Sequence, residues 1–307
     1  MGIRAGTLEA LGGLKGMILK ENLSTKRELD IAAFEIRCGI VREIAANHGG
    51  HIGGSLDLSE MMAVVYSDFM RIDTKDPDKA DRDFMIFSKG HAGPALYSTL
   101  AWKGFFPKER LDLLNKYSSE LPGHCDRNKV PGVDATTGSL GQGLSIACGA
   151  ALGAKIKESD QRVFCVIGDG ESDEGQIWEA AQAAAHFRLD NLIVFLDWNK
   201  MQIDGSNDEV MTLGDPVLKF GAFGWDAVCV AGSDTSEIQD AVFRAVTQRD
   251  GKPFMIVLDT KKGYGLKCVS ELPNNHCIGF PDQMIEEAEK ELRARAAELE
   301  VDFERIR

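Results

Sequence analysis

Asp169 lies between two glycines at the end of an apolar run, and Asn199 closes a second such run thirty residues later. The runs, Val163 to Ile167 and Leu192 to Leu196, are short and rich in branched residues, the pattern of strands buried on both faces of a parallel sheet. Between them Trp178, Ala181, Ala185 and Leu189 recur at helical spacing. The stretch from Val163 to Gly205 therefore predicts strand, turn, helix and strand. Adjacent parallel strands place Asp169 and Asn199 side by side at the carboxyl edge, where open α/β sheets bind ligands. One carboxylate and one amide oxygen suit Mg²⁺, which completes its shell with phosphate and water oxygens. Gly168 and Gly170 let the backbone approach an anion, and the following helix turns free N–H groups the same way. These residues predict a magnesium-bound diphosphate. The GxGxxG fingerprint is missing from this stretch, and no Walker GxxxxGK[ST] occurs in the chain.

The rest of the chain supplies elements that bring other polar groups to the same edge. A helical pattern from Ser24 to Ala46 ends in the glycine-laced loop His48–Ser55, and a second helix runs from about Ser59 to Met70. Ser24-x-x-Arg27 is not a capping box. A strand at Phe84–Phe87 delivers Ser88-Lys89-Gly90-His91, and a helix from Pro94 to Trp102 leads away. The long loop Leu121–Gly143 is of a length usually reserved for function. It opens an Ala- and Gly-rich helix to about Lys157, on which another element must pack closely. Further on come a strand at Ala227–Val230, a helix at Thr235–Val246 and a strand at Phe254–Leu258. The last strand ends in a basic glycine turn, where Lys261 and Lys262 read equally as phosphate ligands or as a solvated pair. The amphipathic tail from Ile285 to Arg307 reads as a surface element. The expected fold is α/β: a doubly wound, mainly parallel sheet with helices on both faces. Residues 1–23 read as an N-terminal extension and 24–307 as one domain.

Composition excludes several classes of function. The net charge of −13 argues against nucleic-acid binding, so phosphates must be held locally by glycines, metal and a few cations. Seven cysteines make no CxxC pair and fit reduced thiols in a cytoplasmic protein. Neither a signal peptide nor a membrane-spanning run is legible.

GDG followed by 28 residues and Asn199 resembles the thiamine diphosphate motif, and the text GDGESDEGQIWEAA with LDNLIVFLDWNKMQIDG is similar to the transketolase branch. The resemblance covers about Ser24 to Phe280. It implies thiamine diphosphate as cofactor and Mg²⁺ (or Ca²⁺ or Mn²⁺) held by Asp169, Asn199 and the backbone carbonyl of Met201. GHIGGS looks like the family's GHPGG loop, and PGH like its PGH, which makes His51 and His124 substrate-facing histidines. SKGHAGPALY is similar to SxGHxSxxLY and assigns His91 to the diphosphate. TTGSLGQG resembles TTGPLGQG and puts Gly138 and Leu140 at the cofactor, together with Gly170. His276 matches a family histidine near the diphosphate, with Cys277 where Gly is usual. Glu174 and Glu179 match acidic positions between the family's paired sites; equally, they are ordinary acidic residues near a helix start.

In transketolases the glutamate that activates the pyrimidine, and most groups that grip a sugar phosphate, belong to a second domain. The resemblance thus implies a split enzyme, with a separate pyrimidine-binding subunit completing an α2β2 heterotetramer that transfers a two-carbon ketol unit between small sugars. The α subunit of a 2-oxoacid dehydrogenase and 1-deoxyxylulose-phosphate synthase are competing readings, but their histidine loops differ. A non-catalytic cofactor-binding subunit is a third, opposed by the filled metal and histidine positions.

Overall fold

A computed structural model describes residues 20–247 and 250–307. The expected extension lies outside the described residues up to position 19, and Lys20–Asn22 form a single 3-10 turn. Helix α1, Lys26–Ala46, starts at Thr25, whose side chain accepts from Glu28 N–H while Glu28 reaches back to the Thr25 backbone. The capping box is thus present one residue beyond Ser24, where the sequence reading placed none. A two-residue strand β1, Gly49–Gly50, and the short helix α2, Gly53–Leu56, follow. Helix α3 spans Ser59–Val64 and continues as a π-helical turn, Val65–Phe69, in place of one regular helix.

The main sheet begins with β2, Phe84–Phe87, which leads through α4, Gly93–Lys103, to the long loop and α5, Gln142–Ile156. Strand β3, Val163–Gly168, α6, Gly175–His186, and β4, Leu192–Trp198, form the unit expected from the sequence. Its turn differs. A 3-10 turn at Gly170–Asp173 separates Asp169 from α6, so no α-helix N-terminus directly follows the GDG turn. Strands β5, Asp226–Ala231, and β6, Phe254–Asp259, complete a five-stranded parallel sheet of order β2-β3-β4-β6-β5. β7, Ile278–Gly279, pairs antiparallel with β1.

Alternation along each strand feeds two cores. Phe164, Val166, Ile193, Phe195, Ile256 and Leu258 face α1, α3 and α4, while Val163, Cys165, Ile167, Val194, Leu196 and Val257 face α5 and α6. Burial on both faces explains why these strands read as continuous apolar runs. The doubly wound α/β expectation is met. The tail is more than a surface element: the helix Asp282–Glu298 buries Ala288, Leu292 and Ala296 in the core shared with α1, and Phe303 of a short last helix joins them. Strand registry then fixes the ligand edge, because Gly168 pairs with Asp197 and the residues just beyond, Asp169 and Asn199, emerge together.

Candidate active site

One cavity of about 340 Å³ opens at the carboxyl edge of β2, β3 and β4. His51, His91, His124, Gly138, Leu140, Asp169, Gly170, Asn199, Met201 and His276 all line it. Glu174 does not: it is exposed at the start of α6, and Glu179 is exposed on the same helix. The sequence motifs therefore converge on a single site, with the two acidic positions outside it.

Asp169 is buried, and both of its oxygens accept hydrogen bonds while Oδ1 keeps a free lone pair. Gly170 N–H donates to its Oδ1 at 2.8 Å, and Lys200 N–H and Asn207 Nδ2 donate to Oδ2 at 2.6 and 2.9 Å. Burial first, and the Asp197 carboxylate second, push its carboxyl up to about 6. Asn199 donates through Nδ2 to Asp57 Oδ2 at 3.0 Å and Asp197 Oδ2 at 2.9 Å, while its Oδ1 accepts from Met201 N–H at 3.1 Å. Lys200, between them, adopts φ +66°, a left-handed conformation uncommon for a residue with a side chain.

Two buried lysines bring positive charge. Lys89 donates to Gly54 O at 2.9 Å and pairs with Asp197. Lys262 donates to Met201 O at 3.1 Å and sits 3.2 Å from His276 Nδ1, with its ammonium pulled down by burial and then by Lys89. Of the two lysines left open by the sequence, Lys262 is thus the site residue, and Lys261 is exposed. The four histidines form one cluster, with ring centroids 5.3 Å apart for His51–His91, 5.5 Å for His51–His124 and 4.7 Å for His91–His276. Burial dominates in holding three of them neutral: His51 is lowered, His91 is lowered further, and His276 is pulled down to about 3.

Close backbone packing underlies this convergence. A Cβ on Gly90 would lie 2.7 Å from Thr137 Oγ1 and 2.8 Å from Gly138 N, so the His91 and Gly138 loops can meet only with glycine there. Buried Glu171 ties three loops together, accepting from Ser88 Oγ, from Gly141 N–H at 2.8 Å and from Gly168 N–H at 3.0 Å. Sequence reasoning missed Glu171, Asp57 and Asp197. The available signal was a carboxylate inside an otherwise apolar context, plainest in Leu56-Asp57-Leu58.

Among the described residues no three His, Cys, Asp or Glu side chains are arranged as a metal cage. The donors that remain are an Asp169 oxygen, the Asn199 amide oxygen and the Met201 carbonyl, a hard but incomplete set. That set fits a hard cation whose other ligands come from a diphosphate. The fold and the site define an α/β domain with its ligand cavity on the carboxyl edge of a parallel sheet.

Comparisons make the class specific. The family described as "Transketolase, thiamine diphosphate binding domain" matches residues 30–304. A 6-deoxy-6-sulfo-D-fructose transketolase subunit, SqwG, of Clostridium sp. (strain MSTE9) is 45% identical over 270 residues, covering 88% of this chain and 98% of that one. One of the apulose-4-phosphate transketolase subunits of Phocaeicola vulgatus is 36% identical, covering 89% of this chain and 96% of that one. The crystal structure of a transketolase mutant from Pichia stipitis superposes with a TM-score of 0.80 at 31% identity, over 88% of this chain but 41% of that chain. This chain belongs to the transketolase family, and its activity class is that of a transketolase-type transferase. No helix among the described residues is long and apolar enough to cross a membrane.

Proposed function

We propose that this chain is the diphosphate- and metal-holding subunit of a split transketolase, transferring a two-carbon ketol unit from a ketose donor to an aldose acceptor. Residues 24–307 act as the cofactor's diphosphate domain, and a separate chain supplies the pyrimidine site in a cytoplasmic α2β2 assembly. The observation that carries the reading is the meeting, around one cavity, of Asp169, Asn199, Met201 and four histidines drawn from four loops. Asp169, Asn199 and the Met201 carbonyl would hold Mg²⁺, and His91 and Lys262 lie where a diphosphate would reach it.

Thiamine diphosphate, when bound, supplies the electron sink for carbon–carbon cleavage. This chain's residues position and protonate. His51, half-buried and held neutral by desolvation, can accept a proton at a ring nitrogen and hydrogen-bond sugar hydroxyls, while half-buried His276 belongs nearer the diphosphate. His124 completes the substrate side. Glu174 and Glu179, both exposed, are read from their match to the family's acidic positions as residues between paired sites. The substrate class we infer is a ketose with a terminal anionic group, because the two subunit relatives are named for a sulfonated and a phosphorylated sugar.

The test is two-carbon transfer by the chain co-purified with a pyrimidine-binding partner, with thiamine diphosphate and Mg²⁺, comparing sulfonated and phosphorylated ketose donors. Activity that requires both chains and vanishes in Asp169→Ala supports the reading. Full activity of this chain alone overturns the split, and failure to take up the cofactor in the pair overturns the site.

A further inference from the structure

An asparagine side chain has the same shape either way round, so hydrogen bonds alone decide which end faces a ligand. At Asn199 both ends are specified. The two Nδ2 hydrogens are taken by Asp57 Oδ2 at 3.0 Å and Asp197 Oδ2 at 2.9 Å, and Oδ1 faces the Met201 N–H at 3.1 Å. Reversing the amide would set its oxygen against two carboxylate oxygens and its NH2 against a backbone donor. Asp197 is itself pinned by Lys89. Asp57 is pinned by Gly263 N–H at 2.7 Å and Tyr264 N–H at 3.2 Å.

Asp57 carries the heavier burden. It stands between Leu56 and Leu58 with all three residues at 0% exposure, a position where a carboxyl group is costly unless fully hydrogen-bonded. Its second oxygen anchors the turn that follows Lys262, whose ammonium contacts the Met201 carbonyl at 3.1 Å. One side chain thereby touches the Asn199 amide directly and reaches the Met201 carbonyl through the Lys262 turn.

We infer that Asp57 is a positioning residue that fixes the Asn199 amide with its oxygen toward the metal and links that ligand to the Lys262 turn. This rests on the proposed metal site and adds to it a residue that no sequence motif identified. In Asp57→Asn the new amide can keep an oxygen on Gly263 and Tyr264, but it sets an NH2 against Asn199 Nδ2. Asp197 and the Met201 N–H still oppose reversal, so the opposing NH2 instead pushes the Asn199 amide out of its place, and its oxygen is drawn off the metal.

The experiment uses the full-length chain, alone and with its partner, titrated with Mn²⁺ in the presence of thiamine diphosphate and read by electron paramagnetic resonance and water-proton relaxation. Loss of an outer-shell partner of this kind weakens metal binding by roughly 10–100-fold. The expected result for Asp57→Asn is a loss in that range, with one more water on the bound Mn²⁺ and little change in the thermal midpoint of the unliganded chain. Asp57→Ser removes an acceptor without adding an opposing donor, so it should lose less, and it serves if the first variant does not fold. In an Asn199→Asp background both ends of residue 199 are oxygen, and the Asp57→Asn change should leave Mn²⁺ affinity unchanged or tighter. Equal losses in both backgrounds, or wild-type affinity in Asp57→Asn, would overturn the inference while leaving the metal site intact. Absence of metal-dependent binding in the wild-type chain, alone and with its partner, would overturn the functional reading and this inference together.

Discussion

Replacing Glu171 probes how the three cavity loops are joined. Its carboxylate is buried and receives Ser88 Oγ, Gly141 N–H and Gly168 N–H. In Glu171→Ala the serine hydroxyl can rotate to another acceptor, but the two backbone donors cannot. A buried donor left unpaired costs about 1–3 kcal/mol, so the expected loss is about 2–6 kcal/mol. Glu171→Gln keeps the shape and one acceptor. Whichever way its amide turns, one backbone N–H meets an NH2, and the expected loss is about 1–3 kcal/mol. Urea unfolding followed by tryptophan fluorescence and far-ultraviolet circular dichroism measures both. The site should respond with the fold: Gly141 leads into α5 just after Gly138 and Leu140, so thiamine diphosphate affinity should fall in the same order, alanine more than glutamine. An alanine variant that loses less than about 1 kcal/mol, or one that keeps wild-type cofactor affinity while destabilised, would refute the loop-tie argument.

Two further outcomes are expected. Glu43 is fully buried on α1, with Ser98 Oγ donating to one oxygen at 2.6 Å and the other oxygen unpartnered, and burial raises its carboxyl well above the ordinary range. Above the unfolded value of about 4.3 the unfolded chain releases a proton that the folded chain keeps, so this group lowers stability by up to about 1.4 kcal/mol per pH unit until its folded value is passed. Glu43→Gln should therefore match wild type near pH 4 and exceed it at pH 7 in thermal denaturation; an identical pH profile would refute this. Leu292 packs the C-terminal helix into the core at 3% exposure, and Leu292→Ala should cost about 2–4 kcal/mol by urea unfolding, against nearly none for a solvent-facing helix.

What the sequence made legible was local. Apolar runs ending in Asp169 and Asn199, and Phe84–Phe87 ending in Ser-Lys-Gly-His, announce strands and the edge they feed, because strand patterning and turn chemistry act over a few residues. Thr25 was missed by one position although Glu28 stood three residues beyond it, since a cap depends on which residue leaves the helical conformation first. The C-terminal helix read as surface because its buried stripe is narrow and largely alanine, Ala288 and Ala296 around Leu292. Lys261 and Lys262 are indistinguishable as text; the turn at the end of β6 aims only the second into the cavity. Asp57 stands out as a carboxylate between two leucines, but its role was illegible because its partner Asn199 lies on another element.

The bonds that build the cavity also have a bearing on assembly kinetics. Asp57 and Gly263 are separated by 206 residues, Asn199 and Asp57 by 142, and Lys89 and Asp197 by 108. Contacts of such range form only after the intervening chain has closed large loops, which places them late in folding. No short fragment contains a working subset, since the partners of each clamp are at least 108 residues apart. During refolding, secondary structure and partial burial should therefore recover before the site does, and capture of a diphosphate ligand should mark the molecules whose sheet is complete.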